Sequence, residues 1–274
     1  MTMSDWDHPE IRDLITRALA EDVGPGDVTT EACVPADARA EGYFLTREPL
    51  VVAGLPLLAM IYDQEERNVL CTDGEKLDAE VVFAEVSGSA RRLLTLERTA
   101  LNLLQRTSGI ATISRRFADA VAGTGCKVLD TRKTAPGMRR LEKLAVAAGG
   151  CMNHRFGLFD AILIKNNHIT AAGGVRQAYE RCKGKGLPVE IEVRTFEELD
   201  EALAAGADHL LIDNLAPSEA REAVERVGGR AKVEISGGVN LQTVRAYAET
   251  GADFVSVGAL THSAPAADIS FRLK

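Results

Sequence analysis

The second half of the sequence alternates short apolar segments with helical patterns, and this alternation constrains the fold more than any other feature. Six apolar segments, each suited to one buried strand, follow residue 126: KVLDT, AILIK, VEIEV, HLLID, KVEIS and FVSVG. Helical patterns such as TFEELDEALAAG and LQTVRAYAETG lie between several of them, and each closes on a glycine. Strands that alternate with helices form a parallel sheet, so the sequence predicts an α/β domain.

An open α/β barrel fits this pattern better than a doubly wound nucleotide-binding sheet. No GxGxxG turn follows the first strand, as a dinucleotide-binding sheet would require. The segments AGADHLLIDN and TGADFVSVGA each combine a helix end with a strand, and one further strand lies between them, as in successive units of a barrel. The residues before about 108 lack the alternation and predict a smaller α+β domain, from which a long helical pattern leads into the barrel.

Charge and cysteine content narrow the class of protein. The chain has 32 basic and 40 acidic residues and a net charge of −8, which disfavours binding to nucleic acid or to an anionic membrane. Its five cysteines form no CxxC pair, which argues against a disulfide framework or zinc site and suits a reducing cytoplasm. The N-terminal segment does not resemble a signal peptide, and no apolar run is long enough to cross a membrane.

The strand VEIEV places two carboxylates inside the barrel. Its valines and isoleucine share one face, so Glu190 and Glu192 share the other. Two buried carboxylates need cations, a metal or a hydroxyl-rich ligand, and Lys133 and Lys165 lie on the inward face of their own strands. A structural ion-pair network and a functional site both remain open at this point.

Cationic groups gather at the strand ends despite the negative net charge. The segment CMNHRFGLFDAILIKNNHI contributes His154, Arg155 and Lys165, and DTRKT contributes Arg132 and Lys133. Guanidinium groups match carboxylates and phosphates two hydrogen bonds at a time, so these residues predict a site for a small polyanion. His168 by itself is better interpreted as a structural residue.

Glycine-rich turns follow the last two strands, in EISGGVN and VGALTHS. Backbone N–H groups in such turns can approach a phosphate, although tight turns also need glycine for their conformation. Asp213 and Glu192 suit the hydroxyls of a sugar or an Mg²⁺ ion shared with a diphosphate. Too few ligands cluster for a metal site made of protein groups alone.

Five segments together resemble one enzyme family: ERTALNLLQRTSGIAT, DTRKTAPGMR, NHRFGLFDAILIKNNHI, EISGGV and YAETGADFVSVGALTHS. From about residue 20 onward the chain is similar to the quinolinate phosphoribosyltransferases, or carboxylating nicotinate-nucleotide diphosphorylases. The resemblance implies an N-terminal α/β sandwich domain over residues 1–108 and an open seven-stranded α/β barrel over 109–266. The tail, 267–274, would pack on the first domain, and the protein would be a homodimer or an assembly of dimers.

The activity implied by the resemblance is phosphoribosyl transfer from 5-phosphoribosyl 1-diphosphate to quinolinate with decarboxylation. The products are nicotinate mononucleotide, diphosphate and CO₂, in de novo NAD biosynthesis. Departure of diphosphate gives the ribose oxocarbenium character, which nearby carboxylates stabilise, so no side-chain nucleophile is needed. Mg²⁺ would accompany the diphosphate with Glu192 and Asp213 as protein ligands, and no permanently bound organic cofactor is expected.

The resemblance also assigns roles to individual residues. The quinolinate carboxylates would be bound by Arg132, His154, Arg155 and Lys165, and by Arg98 reaching in from the neighbouring subunit. The phosphoribosyl diphosphate would be bound by Lys133, Glu192, Asp213, Ser236, Gly237 and Gly258, of which the first three form the catalytic set.

One departure and two alternatives accompany this interpretation. Arg194 stands where the family often has an acidic residue, and it could alter the charge near Glu192. The alternatives are a molybdenum-transport-associated relative of the same family and a non-catalytic phosphosugar-binding barrel. The relative commonly lacks the pattern LIKNNH, and a binding protein would be expected to lose part of the charged set. Lys165 and Asn153 therefore favour the quinolinate enzyme.

Overall fold

The computed structural model describes residues 3–274, so the first two residues of the N-terminal segment lie outside the described residues. The helices are α1 (Met3–Trp6), α2 (Pro9–Val23), α3 (Val28–Cys33), α4 (Leu55–Ile61), α5 (Ala90–Ala120), α6 (Arg139–Ala148), α7 (Asn166–Ala172), α8 (Val175–Cys182), α9 (Phe196–Ala205), α10 (Pro217–Val227), α11 (Val244–Ala248) and α12 (Ala259–His262). The strands are β1 (Arg39–Thr46), β2 (Leu50–Val51), β3 (Glu66–Val69), β4 (Lys76–Leu77), β5 (Val82–Ser89), β6 (Lys127–Leu129), β7 (Ile162–Ile164), β8 (Val189–Val193), β9 (His209–Asp213), β10 (Lys232–Ser236), β11 (Phe254–Ser256) and β12 (Ile269–Leu273).

The described chain divides into two compact units, each made of more than one segment. The first comprises residues up to 115 together with 134–150 and 260–274, and the second comprises 116–133 and 151–259. The expected boundary falls inside α5, a single helix of 31 residues that matches the predicted long helical stretch. The domain limits of the sequence analysis therefore stay a prediction.

The second unit contains the predicted parallel sheet, which confirms the fold class. All six apolar segments form strands, and the sheet order is β6-β11-β10-β9-β8-β7. Each described pair of neighbouring strands is parallel. At the outer side of β6, Met152 makes a single parallel bridge to Leu129, with its N–H donating to the Val128 carbonyl at 2.9 Å. The described sheet thus has six strands, one fewer than the seven that the resemblance implies.

Local sequence determines where the helices of this unit begin and end, as α9 shows. The Thr195 hydroxyl accepts a hydrogen bond from the Glu198 N–H at 3.2 Å, which caps the first turn. The helix ends at Gly206, whose φ of +91° is the left-handed conformation that glycine adopts at little cost. The pattern LQTVRAYAETG forms a shorter helix than its length suggests, because α11 covers only Val244–Ala248.

The first unit is built on a four-stranded antiparallel sheet of order β12-β1-β5-β3. Phe44 on β1 lies at the centre of its core and packs its ring against those of Tyr62, Phe83 and Phe271. The C-terminal tail enters this sheet as β12, where Gly42 of β1 pairs with Leu273. A side chain at Gly42 would collide with the Phe271 ring, so the tail and β1 fit each other at this position.

All five cysteines are free thiols, as their spacing predicts. Within residues 3–274, no helix is long and apolar enough to cross a membrane.

Candidate active site at the strand ends of the parallel sheet

The parallel register brings the predicted polar residues to one edge of the second unit's sheet. Ser236 pairs directly with Asp213 at the ends of β10 and β9, and Ile164 of β7 pairs with Ile191 of β8. Lys165 follows β7 directly, and the segment Thr131–Lys133 comes two residues after β6. The carboxyl ends of parallel strands are where ligands bind in sheets of this kind.

Glu192 is buried and held by cations, as its predicted inward orientation requires. Its Oε2 forms an ion pair with Lys165 Nζ at 3.2 Å, and its Oε1 forms one with Arg194 Nη2 at 3.2 Å. The Asn166 N–H donates to Oε1 as well, at 3.4 Å. Lys165 and Arg194 are each about half exposed, so solvent screens these pairs. Arg194, the departure from the family pattern, therefore contacts Glu192 directly.

Glu190 is also buried, but histidines rather than lysines surround it. His154 Nε2 lies 3.0 Å from Glu190 Oε2, and His209 Nε2 lies 3.6 Å from Oε1. Glu234, fully buried on β10, completes the group with its Oε2 at 3.6 Å from His154 Nε2. We call these four residues the floor cluster.

Proton affinities differ sharply within the floor cluster. Burial and the neighbouring charge of Glu190 raise the pKa of Glu234 to about 8. Burial also opposes ionisation of Glu190, but the hydrogen bond from His154 and the nearby imidazoles outweigh it, and the pKa of Glu190 is lowered. Burial lowers the pKa of His209. At neutral pH the cluster therefore holds Glu190 as its carboxylate and Glu234 mainly as the neutral acid.

The hydrogen bonds of His154 assign its tautomer. The backbone N–H of Arg155 donates to His154 Nδ1 at 2.7 Å, so that nitrogen carries no proton. The ring proton is then on Nε2, which donates to Glu190. Both ring nitrogens of His154 thus bind groups of the chain itself, although His154 was predicted to bind a ligand carboxylate.

Arg132 and Arg155 form the cationic part of the site. Burial and the charge of Arg132 together lower the pKa of Arg155, which places two guanidinium groups within electrostatic reach of each other. The Arg155 side chain also donates to the carbonyl of Ala161 at 3.3 Å. The carboxylates of Glu190 and Asp160 partly offset the repulsion between the two cations, and a bound anion would act in the same direction.

Backbone turns at the last strand ends suit a phosphate. Gly237 follows β10 with a φ of +100°, and a side chain there would collide with Asn214. The Asn214 amide in turn donates to Asp213 Oδ2 at 2.8 Å and its N–H donates to the Ser236 carbonyl. Gly258 follows β11 at the same edge. A glycine is therefore needed at position 237 for two reasons: it allows the left-handed backbone conformation, and it leaves room for the Asn214 side chain.

Three further residues of the sequence analysis have the following surroundings. His168 is a structural residue, as expected, because its Nδ1 accepts the Lys165 N–H at 2.9 Å at the start of α7. Arg98 lies exposed on α5, in the first unit. Lys133 is exposed after β6, and its N–H donates to the Thr131 hydroxyl at 3.1 Å.

The sequence analysis missed Asp130, His209 and Glu234. Asp130 is buried and accepts hydrogen bonds from the His154 N–H and the Asn153 amide, both at 2.8 Å. Strand parity contained a signal for Glu234, because it alternates with Val233 and Ile235 as Glu190 alternates with its apolar neighbours.

Comparison with known proteins gives matches over almost the whole chain. Residues 110–272 match the family described as quinolinate phosphoribosyl transferase, C-terminal domain, and residues 27–108 match the N-terminal domain of the same family. The carboxylating nicotinate-nucleotide pyrophosphorylase of Mycobacterium leprae is 43% identical over 283 residues, which cover 99% of this chain and 100% of that protein. The chloroplastic enzyme of Arabidopsis thaliana is 42% identical, over 97% of this chain and 84% of that protein.

A solved structure agrees with these sequence matches. The nicotinate-nucleotide pyrophosphorylase from Francisella tularensis superposes with a TM-score of 0.94 at 36% identity, covering 98% of this chain and 99% of that one.

Proposed function

Because this chain belongs to the quinolinate phosphoribosyltransferase family, we propose that the strand ends of its parallel sheet bind quinolinate beside 5-phosphoribosyl 1-diphosphate. The enzyme transfers the phosphoribosyl group to quinolinate with decarboxylation, and it forms nicotinate mononucleotide, diphosphate and CO₂ in de novo NAD biosynthesis. The family and activity expected from the sequence motifs are thus confirmed, and the roles of individual residues are proposals.

The observation that carries the substrate assignment is the proximity of Arg132 and Arg155. Burial and the charge of Arg132 lower the pKa of Arg155, and a ligand that accepts hydrogen bonds from both guanidinium groups would favour both cations. Quinolinate has two adjacent carboxylates and is such a ligand. Lys165 is the third cation, and its partner Glu192 holds its ammonium group at the edge of the same sheet.

Glu192 and Asp213 act on the ribose in this proposal. As the bond to diphosphate breaks, positive charge develops on the ribose ring, and carboxylates fixed in advance stabilise it. Glu192 is fixed by Lys165 and Arg194, and Asp213 is fixed by the Asn214 amide. Lys133 is assigned to the departing diphosphate, whose negative charge its exposed ammonium group can stabilise.

The 5′-phosphate is assigned to Ser236, Gly237 and Gly258. Gly237 adopts a left-handed turn directly after β10, and backbone N–H groups in such a turn can bind a phosphate. Decarboxylation needs no protein base, because the alkylated pyridinium nitrogen accepts the electrons that the departing CO₂ leaves behind.

Mg²⁺ would enter this site with the diphosphate, and the residues present fit it in part. Asp213 offers a partly accessible carboxylate with one oxygen bound to a neutral amide, and such a group can join phosphate oxygens around Mg²⁺. Both oxygens of Glu192 are paired with cations. We therefore assign the ion to Asp213, where it would stabilise the leaving diphosphate, and leave Glu192 out of its ligands.

A homodimer would complete the site through Arg98, which lies exposed on α5 and is free to reach a second copy. Leu158 and Phe159, both 73% exposed, give the second unit an apolar surface that a partner subunit would cover. A cytoplasmic location is in keeping with the five free thiols.

The decisive experiment is incubation with quinolinate, phosphoribosyl diphosphate and Mg²⁺. Formation of nicotinate mononucleotide with release of CO₂ from quinolinate is expected. Replacing quinolinate by nicotinate should abolish turnover, because only one of the two carboxylates would be present. Product formation from nicotinate alone would contradict the dicarboxylate site. Tight binding of phosphoribosyl diphosphate without turnover would indicate a binding protein.

A further inference from the structure

The floor cluster is a group of buried titratable residues at the second unit's sheet to which the proposed mechanism gives no role. His154, Glu190 and Glu234 each present a side-chain atom within 4.8 Å of the others. Glu190 and Glu234 are 5% and 0% exposed, so they are shielded from bulk solvent. Burial of two carboxyl groups is costly even when one is neutral and the other is hydrogen-bonded, and their presence here calls for a function.

A metal ion on this cluster conflicts with the hydrogen bonds of His154. Histidine binds a metal through a ring nitrogen that carries a lone pair. The Arg155 N–H occupies the lone pair of Nδ1 at 2.7 Å, and a neutral ring must then carry its proton on Nε2, the atom that faces both carboxylates. That nitrogen is a donor to Glu190 and has no lone pair to offer.

The hydrogen bonds instead form a chain from the floor of the sheet to the cationic site. Glu190 accepts the Nε2 proton of His154 at 3.0 Å, and His154 Nδ1 accepts the backbone N–H of Arg155. Glu234, as the neutral member of the pair, leaves Glu190 as the ionised acceptor. If Glu190 could not accept, the ring would be free to carry its proton on Nδ1 and would then repel the Arg155 N–H.

We propose that Glu190 and Glu234 are positioning residues, which fix His154 as the Nε2–H tautomer and thereby fix the backbone of Arg155 at the carboxylate site. This inference rests on the proposed function, in which the Arg155 side chain binds a carboxylate of quinolinate. It gives His154 a supporting role in place of direct contact with the substrate. The cluster therefore acts on substrate affinity through the placement of Arg155.

The first test is the tautomer of His154 in the wild-type protein. The chain has five histidines, so nitrogen-15 spectra of histidine-labelled protein are simple enough to assign with a His154→Gln variant. At pH 7 the expected spectrum shows a neutral ring with its proton on Nε2. An Nδ1–H tautomer or an imidazolium ring would overturn the proposal, and this measurement needs no enzymatic turnover. The tautomer can therefore be tested even if the proposed enzymatic activity is not found.

The second test separates positioning from stability with three variants. Glu190→Gln can donate to His154 as well as accept, so it should give a mixed tautomer and raise the KM for quinolinate about tenfold. The KM for phosphoribosyl diphosphate should change less than about twofold. Glu234→Leu should act in the same direction, and Glu234→Gln, which keeps a neutral polar group, should restore most of the affinity.

Glu65→Gln provides the matched control, because Glu65 is a buried carboxylate of the first unit paired with Arg92 at 2.7 Å. It should lower stability and leave both KM values and the His154 spectrum unchanged. Three results would contradict the proposal: equal changes in both KM values, an unchanged His154 tautomer in Glu190→Gln, or stoichiometric bound metal that this variant loses.

Discussion

The buried carboxylate of Asp130 accepts a hydrogen bond of 2.8 Å from the backbone N–H of His154. Asp130 lies directly after β6, two residues before Arg132, and His154 lies one residue before Arg155. The bond therefore joins the two segments that carry the guanidinium groups. It adds to the backbone hydrogen bonds that Met152 makes with Val128 and Asp130, and it extends the connection into residues 153–161, which have no regular secondary structure.

Asp130→Asn should weaken quinolinate binding. An asparagine can still accept the His154 N–H. In the wild type, however, the Asn153 amide donates to Asp130 Oδ2 at 2.8 Å, and in the variant it would face the amide group of the new asparagine. Two donors facing each other in a buried site should cost about 1–3 kcal/mol of stability. We expect a KM for quinolinate raised about tenfold, measured by initial rates at saturating phosphoribosyl diphosphate.

Asp253→Asn is the matched control for that variant. Asp253 also accepts a backbone N–H, that of Val233 at 2.9 Å, but it lies beside the start of β10, away from the strand ends. It should lower the unfolding free energy with little change in either KM. If the control raised the KM for quinolinate as much as Asp130→Asn does, the effect would be general loosening of the fold.

The sequence predicted the sheet because strand identity is a local property. Each of the six apolar segments became a strand of the second unit, and the inward orientation of Glu192 followed from alternation along β8. The pairing of Glu192 with Lys165 was also within reach, since both residues lie on inward faces. Features that depend on a single strand or helix could thus be predicted from the sequence alone.

The floor cluster could not be predicted in the same way. Glu190, His209 and Glu234 belong to three different strands, and their proximity depends on the register of β8, β9 and β10. The role of His154 depends on the loop conformation that brings the Arg155 N–H to its ring. Register and loop conformation result from packing of the whole unit, and a sequence pattern does not specify them.

Removal of the guanidinium groups should separate the two substrates. Arg132→Ala and Arg155→Ala each remove charge-assisted hydrogen bonds worth about 1.5–3 kcal/mol, so the KM for quinolinate should rise about tenfold to a hundredfold. The KM for phosphoribosyl diphosphate should change far less. Arg226→Ala, which removes a surface arginine paired with Asp200, is the control and should change neither. Equal effects on both substrates would show that the two anion pockets are assigned wrongly.

Glu234 should make stability depend on pH in one direction. Its pKa is raised from 4.5 to about 8 by burial and by Glu190, so between these values the unfolded chain releases a proton that the folded chain keeps. The unfolding free energy should therefore fall as pH rises from about 4.5 to about 8, by roughly 1.4 kcal/mol per pH unit at most. Above about 8 both states have lost the proton and this contribution stays constant.

Urea unfolding of the wild type and Glu234→Gln at pH 5, 6.5 and 8 measures that slope. The glutamine cannot ionise, so the variant lacks this contribution to the pH dependence. As the pH rises, the wild type should therefore lose stability relative to Glu234→Gln. A difference that is the same at all three pH values would mean that Glu234 ionises normally in the folded protein.

Mixed dimers should reveal whether Arg98 acts in the neighbouring subunit. Arg98→Ala and Lys133→Ala should each be nearly inactive when pure, because every site then lacks one group. In a mixed dimer, one site combines an intact Lys133 with the Arg98 of the other copy, and its second site lacks both. Random exchange makes about half of the dimers mixed, so about a quarter of all sites should recover wild-type turnover.

Two controls make the mixing experiment decisive. Mixing Lys133→Ala with Lys165→Ala gives no intact site, because both residues belong to the same unit and act in the subunit that carries them. Size-exclusion chromatography with light scattering must show that the variants remain dimers and exchange subunits. Activity that stays at the level of the pure variants after exchange would place Arg98 outside the neighbouring site, and the exposed arginine on α5 would then need another role.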